Sequence, residues 1–289
     1  MKVVLVCPWE RHNVRLLAEG ASLAGVRLLG QSLLEYWMSD LAISGVKQVL
    51  ILADTRPDDI QAIIGRGERW GLSVAVTTES RELTAAQVLL KYDKELTSNT
   101  PLKNGIAVLD HFPSMPELPL FTSYADFYKA LLAWMPRAMA PDRVGVREVS
   151  PGIWMGLHSQ IAPNAELRAP CWIGRNVVVG TQSVLGPGTI VEDGSFVETA
   201  CEIAHSLVGP DTFVGCFAAL KSSVAWGSTL INWETNSTTK VVDPFLLCEL
   251  RQGRQLHPAG WLDRLSDLYA RNREDLQVAW KHLLLKKEG

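Results

Sequence analysis

No run of eighteen consecutive apolar residues occurs in the 289-residue chain, so a membrane-spanning helix is not expected. The start, MKVVLVCPWERH, places only a handful of apolar residues before Pro8 and has no signal-peptide h-region, an absence that points to the cytoplasm. Basic residues are not in surplus. At a formal net charge of −3 the chain has no electrostatic footprint for nucleic acid. Cysteine is sparse, and its five copies show no CxxC spacing, which excludes a disulfide framework and offers no zinc site. What is present, 47% hydrophobic and 20% charged residues, is enough to bury a core and suits a soluble protein of two domains.

Against that ordinary composition one regularity stands out. A large apolar residue recurs every six positions from Met155 through Ile161, Leu167, Ile173, Val179, Leu185, Val191 and Val197 to Ile203, then slips by one and resumes at Val208, Val214 and Leu220. Four residues after these positions sits a compact side chain, among them Ser159, Ala165, Cys171, Ser183, Ser195, Cys201, Ala218 and Val224. Neither a helix nor a simple alternating strand has this beat. A three-sided solenoid does, with one short strand and one turn per hexapeptide and three hexapeptides per coil. The pattern predicts a left-handed parallel β-helix over 151–250, with Cys171 and Cys201 as core filler and glycines such as Gly156, Gly174 and Gly180 where the backbone bends sharply.

The first half reads as alternating strands and helices, over 1–140. Lys2 to Cys7, Val46 to Ala53 and Gly71 to Thr77 are apolar strands; Ser32 to Ser44, Pro57 to Ile64 and Phe121 to Met135 have helical spacing. Such strands indicate a parallel sheet covered on both faces. Asp263 to Lys287 has an amphipathic pattern, so 255–289 is expected to be a helical segment capping the solenoid, with a partner-binding or membrane-surface role as the alternative for Trp280 to Lys287.

The segment from Gly30 to Ile64, opening GQSLLEY, resembles the G-K-P-L-[LI]-E-Y stretch of the sugar-nucleotide pyrophosphorylases, the nucleoside triphosphate:sugar-1-phosphate nucleotidyltransferases. Gly65 to Gly71 (GRGERWG) is similar to their G-[DN]-G-S-x-[FW]-G, and Glu79 to Ala86 (ESRELTAA) falls where they carry E-x-P-L-G-T-A. The resemblance implies a truncated Rossmann-like nucleotidyltransferase domain fused to a hexapeptide β-helix, with Glu79 and Thr84 beside a ligand. The family's glycine-rich phosphate loop, however, falls on Pro8 to Leu17, where none of its glycines is present. Proline removes a donor, Trp9 obstructs the approach and Glu10 adds negative charge, so bare N–H groups cannot close around a triphosphate. Leu83 stands where the family has the glycine that lets backbone approach the base. Only Asp110 stands near a family position for Mg²⁺, a cofactor expected only if nucleotidyl transfer survives.

These readings favour a non-catalytic binding or regulatory homologue in nucleotide-sugar or polysaccharide metabolism. Arg11, His12 and Arg15 follow the first strand and are candidates to hold a nucleotide or sugar phosphate. Two alternatives are an active nucleotidyltransferase with a diverged loop and a hexapeptide acyltransferase with His158 or His205 as general base. Trp172, Phe196, Phe213 and Phe217 exceed what the narrow interior can hold, which predicts a flat outer face and a homo-oligomer through the β-helix. A protein partner from polysaccharide synthesis is also expected.

Overall fold

The computed structural model describes residues 2–19, 22–53, 56–92, 102, 105–138 and 145–250; the helical segment expected at 255–289 lies outside the described residues. Its first part runs β1 (Lys2–Val6), β2 (Arg27–Leu28), β3 (Gln31–Ser32), α1 (Leu33–Ile43), β4 (Gln48–Ala53), α2 (Pro57–Ile64), β5 (Ser73–Thr78), α3 (Ala85–Tyr92), β6 (Ile106–Val108) and α4 (Tyr124–Trp134). Four strands form one parallel sheet in the order β5-β4-β1-β6. Alternation along β1 feeds both faces: Val3 and Leu5 join a core with α1 and α4, while Val4 and Val6 meet Leu83 and Val88 beside α3. β5 departs from the expectation of coverage on both faces, because it is an edge strand with Ser73, Ala75 and Thr77 exposed.

Helix starts follow local chemistry. Ser32 caps α1, accepting the Glu35 N–H at 3.2 Å while the Glu35 carboxylate accepts the Ser32 N–H at 2.8 Å, a capping box worth about 1 kcal/mol. Ser123 caps α4 by accepting the Asp126 N–H at 3.1 Å.

Residues 151–250 contain the stacked parallel strands of a three-sided β-helix. One face stacks Ile153–Gly156, Cys171–Ile173, Thr189–Val191, Leu207–Val208 and Ser223–Trp226. A second stacks Gln160–Ile161, Val178–Val179, Phe196–Val197 and Thr212–Val214, closed by the antiparallel Leu247–Glu249. The third stacks Glu166–Leu167, Val184–Leu185, Glu202–Ala204 and Ala219–Lys221. The first face continues past the coils into an antiparallel hairpin, Thr229–Asn232 and Ser237–Lys240.

The inward column follows the six-residue beat, with Ile173, Leu185, Val191, Val197, Ile203, Val208 and Val214 fully buried. It also slips a second time, which the periodicity alone does not reveal. Val208 pairs with Ala225, and Leu207 with Val224, so Ala225 is the inward residue and Val224 faces out. Both slips tighten the same corner, and His205 (φ 49°) and Ser222 (φ 51°) take left-handed backbone there. The glycines differ from expectation too. Gly156, Gly174 and Gly180 do not have positive φ; instead a Cβ on Gly156 would lie 2.5 Å from the Gly174 carbonyl carbon, and one on Gly174 would lie 2.6 Å from the Asp193 nitrogen. Coil-on-coil approach, rather than bending, requires them.

Residues 1–250 form one unit because the first face of the β-helix is docked on the α/β layer. Its outward ladder, Trp154, Trp172, Ile190, Leu207 and Val224, lies in the same core as Phe127, Leu131 and Trp134 of α4. Trp172, expected on an open outer face, is thereby covered within the chain. A polar clamp reinforces the seam. Leu29 (φ 53°) and Gly30 (φ 79°) make a tight two-residue turn between β2 and β3, and the buried Glu192 carboxylate accepts their N–H groups at 2.5 and 3.0 Å. Arg175 donates to the Gly30 carbonyl at 3.1 Å and to Asp193 at 2.8 Å.

Candidate functional site

The sheet order places a topological switch point between β1 and β6, the usual ligand crevice in open parallel sheets. In this chain the crevice is filled by its own charges. Arg11, in the loop after β1, donates from both terminal nitrogens to the two Glu82 oxygens at 2.6 Å each, and Glu82 also accepts the Trp9 N–H at 3.1 Å. The guanidinium pKa is raised, chiefly by that hydrogen bond to Glu82, with Asp110 adding a smaller electrostatic push. Asp110, just past β6, is 2.6 Å from His111 Nδ1. Glu79 accepts from Lys91 Nζ at 2.7 Å and from the Tyr92 hydroxyl, and these two bonds hold its carboxyl below the usual range. Thr84 caps α3, its N–H donating to the Gln87 side chain at 3.1 Å while its hydroxyl accepts the Gln87 N–H at 3.4 Å.

Magnesium does not fit this donor set. Asp110 is a lone carboxylate already bonded to His111 and within electrostatic reach of Arg11, and no group of three His, Cys, Asp or Glu able to hold a metal exists among the described residues.

The loop after β1 continues into a 3-10 segment, His12–Ala18, kinked at Val14 (φ −131°, ψ 32°). The kink carries His12 and Arg15 away from Arg11 into a cavity of about 740 Å³. Its walls come from three separate parts of the chain: His12, Asn13, Arg15 and Glu19; Ser123 and Tyr124 at the start of α4; and Ser228, Thr229, Asn236, Thr238 and Lys240 on and around the terminal hairpin. That volume suits a small ligand. His12, Arg15 and Lys240 are exposed at the rim. Among the described residues none of the three has a side-chain hydrogen bond or ion pair. Tyr124 is buried at 8% exposure, and its hydroxyl oxygen accepts the Leu16 N–H at 3.1 Å. Of the three basic residues read after the first strand, then, two line the cavity and one closes the crevice.

Lys240, Tyr124 and the hairpin hydroxyls escape a reading of the sequence, because contacts such as Leu16 to Tyr124 span 108 residues and no local pattern marks them.

His158 and His205 occupy left-handed corner positions (φ 61° and 49°), on different edges of the prism, with exposed side chains. The His205 carbonyl accepts Trp233 Nε1 at 3.1 Å, and Trp233 stacks on Tyr128 at 5.0 Å. Gly188 leaves room for its ring, since a Cβ there would lie 2.8 Å from His205 Nδ1. No acidic side chain among the described residues orients either imidazole.

No protein-family model and no curated protein matches the chain. Among solved structures, the acetyltransferase domain of PglB from Neisseria gonorrhoeae FA1090 is similar at 12% identity, covering 78% of this chain and 88% of that one with a TM-score of 0.25. A likeness of that score carries no argument about what this chain binds or does. No helix among the described residues is long and apolar enough to cross a membrane.

Proposed function

We propose that the protein is a non-catalytic, ligand-binding relative of the sugar-nucleotidyltransferases, taking a phosphorylated sugar or related polyhydroxylated anion in the cavity between the His12–Ala18 segment and the terminal hairpin. The observation that carries this reading is that Arg15 and Lys240, without a side-chain hydrogen bond or ion pair among the described residues, line together with His12 a cavity whose other walls are hydroxyl and amide side chains, Leu16, Ile231 and one carboxylate, Glu19. Cations serve the charged group; Ser228, Thr229, Asn236 and Thr238 serve hydroxyls. Nucleotidyl transfer is disfavoured because Trp9 N–H and Arg11, the groups nearest the expected phosphate position, already hold Glu82. Acyl transfer is disfavoured because among the described residues neither His158 nor His205 has an orienting partner. The protein works in the cytoplasm as a homo-oligomer, alongside nucleotide-sugar or polysaccharide synthesis.

Calorimetry with hexose 1-phosphates and nucleotide sugars tests this directly. Binding is expected, with Arg15→Glu and Lys240→Glu each weakening it at least tenfold. No pyrophosphate should be released from nucleoside triphosphates, and acetyl-coenzyme A should give no heat. Turnover of any substrate pair, or wild-type affinity in both charge reversals, would overturn the reading.

A further inference from the structure

We infer that Tyr124 is a ligand-contacting donor, and that with Arg15 it forms an oxyanion seat on the floor of the cavity. This rests on the cavity being the ligand site. Its basis is one buried group with an unused proton. A phenol can accept and donate at once. The Tyr124 oxygen accepts the Leu16 N–H at 3.1 Å, yet its own O–H finds no acceptor among the described residues, although the side chain is 8% exposed and lines the cavity. A buried donor left unmade is costly in a folded chain, which is why such a group facing a cavity points to a missing acceptor.

Position separates this group from the basic residues. His12, Arg15 and Lys240 stand at the rim with exposed side chains, where water screens them; Tyr124 stands at depth, where a hydrogen bond counts for more. The kinked 3-10 segment also brings charges of both signs to the phenol. Burial is the main cause raising the Tyr124 pKa; the Leu16 N–H lowers it, Glu19 raises it and Arg15 lowers it. The phenol therefore stays protonated at neutral pH and has a proton to give. Arg15 and Tyr124 converge on one acceptor, an oxygen of a phosphate or carboxylate. Glu19, at the same wall, accepts from hydroxyls elsewhere on the ligand. The site thus selects a molecule with an oxyanion at one end and hydroxyl groups at the other, over a neutral sugar.

Inorganic phosphate and methyl glucoside serve as probes, measured by calorimetry. Tyr124→Phe should weaken phosphate about tenfold and leave the weak neutral-sugar binding unchanged. Because phenylalanine also removes the acceptor for Leu16 N–H, a second variant carries 3-fluorotyrosine at 124, which keeps that acceptor and donates more strongly. It should bind phosphate more tightly than the natural protein at pH 7, with an unchanged Tm. Wild-type phosphate affinity in both variants, with Arg15→Ala still losing binding, would reduce Tyr124 to a prop for Leu16 while leaving the cavity as the site. Failure of the natural protein to bind phosphate or any hexose phosphate would sink the seat and the cavity reading together.

Discussion

The crevice at the carboxyl ends of the sheet and the cavity beside the terminal hairpin both collect basic residues from the loop after β1, and they treat them in opposite ways. At the carboxyl ends of the sheet the polar groups are matched inside the chain: Arg11 pairs with Glu82, Glu79 with Lys91 past the edge strand β5, and Asp110 bonds His111 Nδ1. The cavity is lined by His12, Arg15 and Lys240 together with one carboxylate, Glu19, and among the described residues none of the three has a side-chain hydrogen bond or ion pair. At a fold position that often binds ligands the polar groups are satisfied within the chain, and the proposed site lies instead at a junction between layers. Location in the fold suggests one site; side chains left without partners among the described residues suggest the proposed one.

The largest effect is expected at the seam that builds the cavity. Trp172 is fully buried between Trp154 and Ile190 on the docked face. Trp172→Ala should cost about 3–5 kcal/mol and lower the thermal midpoint sharply. If the α/β layer and the β-helix were stable separately, the variant would instead melt in two steps, with the crevice intact and the cavity lost. A single unchanged transition would break the view that the seam is what unites residues 1–250.

Much of this architecture could be read in advance, and the failures have physical causes. The six-residue beat was legible because inward positions are uniformly apolar and the first slip, at Ile203 to Val208, keeps a large residue in register. The second slip was hidden. Val224 is compact and apolar, so it fits the beat, but it faces outward into the core shared with the α/β layer, whereas the true inward residue, Ala225, carries no signal of its own. Trp172 misled for the same reason: an outward aromatic shows that something covers it, not whether the cover is another subunit or the same chain. The helical spacing of Ser32 to Ser44 and Phe121 to Met135 is local and readable, and Ser32 and Ser123 cap the helices found there. The cavity was half readable, through His12 and Arg15; its other half is assembled from the hairpin and α4, whose approach depends on the docked face.

A middle-sized effect should separate the two regions by function. Glu82→Ala removes the bidentate partner of Arg11 and the acceptor for Trp9 N–H, and should cost about 1–2 kcal/mol, since the pair is only partly buried. Hexose phosphate binding in the cavity should stay within about twofold, as a structural role for the crevice requires. An affinity that rises tenfold or more would instead mark the freed Arg11 as an anion site, and the contrast between crevice and cavity would collapse.

The smallest effect, confined to the crevice, concerns pH. Glu79 has a depressed carboxyl pKa, chiefly through the Lys91 hydrogen bond and then that of Tyr92, so its folded value lies below its unfolded one. A group of this kind contributes stability that is present above the unfolded carboxylate pKa of about 4.3 and is lost as pH falls through the folded value. Lys91 is largely exposed, so water screens the pair and the contribution should be under about 1 kcal/mol. Glu79→Gln should therefore lower the thermal midpoint slightly at pH 7, and its deficit relative to the natural protein should shrink steadily below pH of about 4. Arg15→Gln should show no such convergence, because among the described residues Arg15 has no carboxylate partner to protonate. Parallel midpoint curves for Glu79→Gln and the natural protein across that range would mean that Glu79 is not held by Lys91 in solution, and would return it to the set of groups free to meet a ligand.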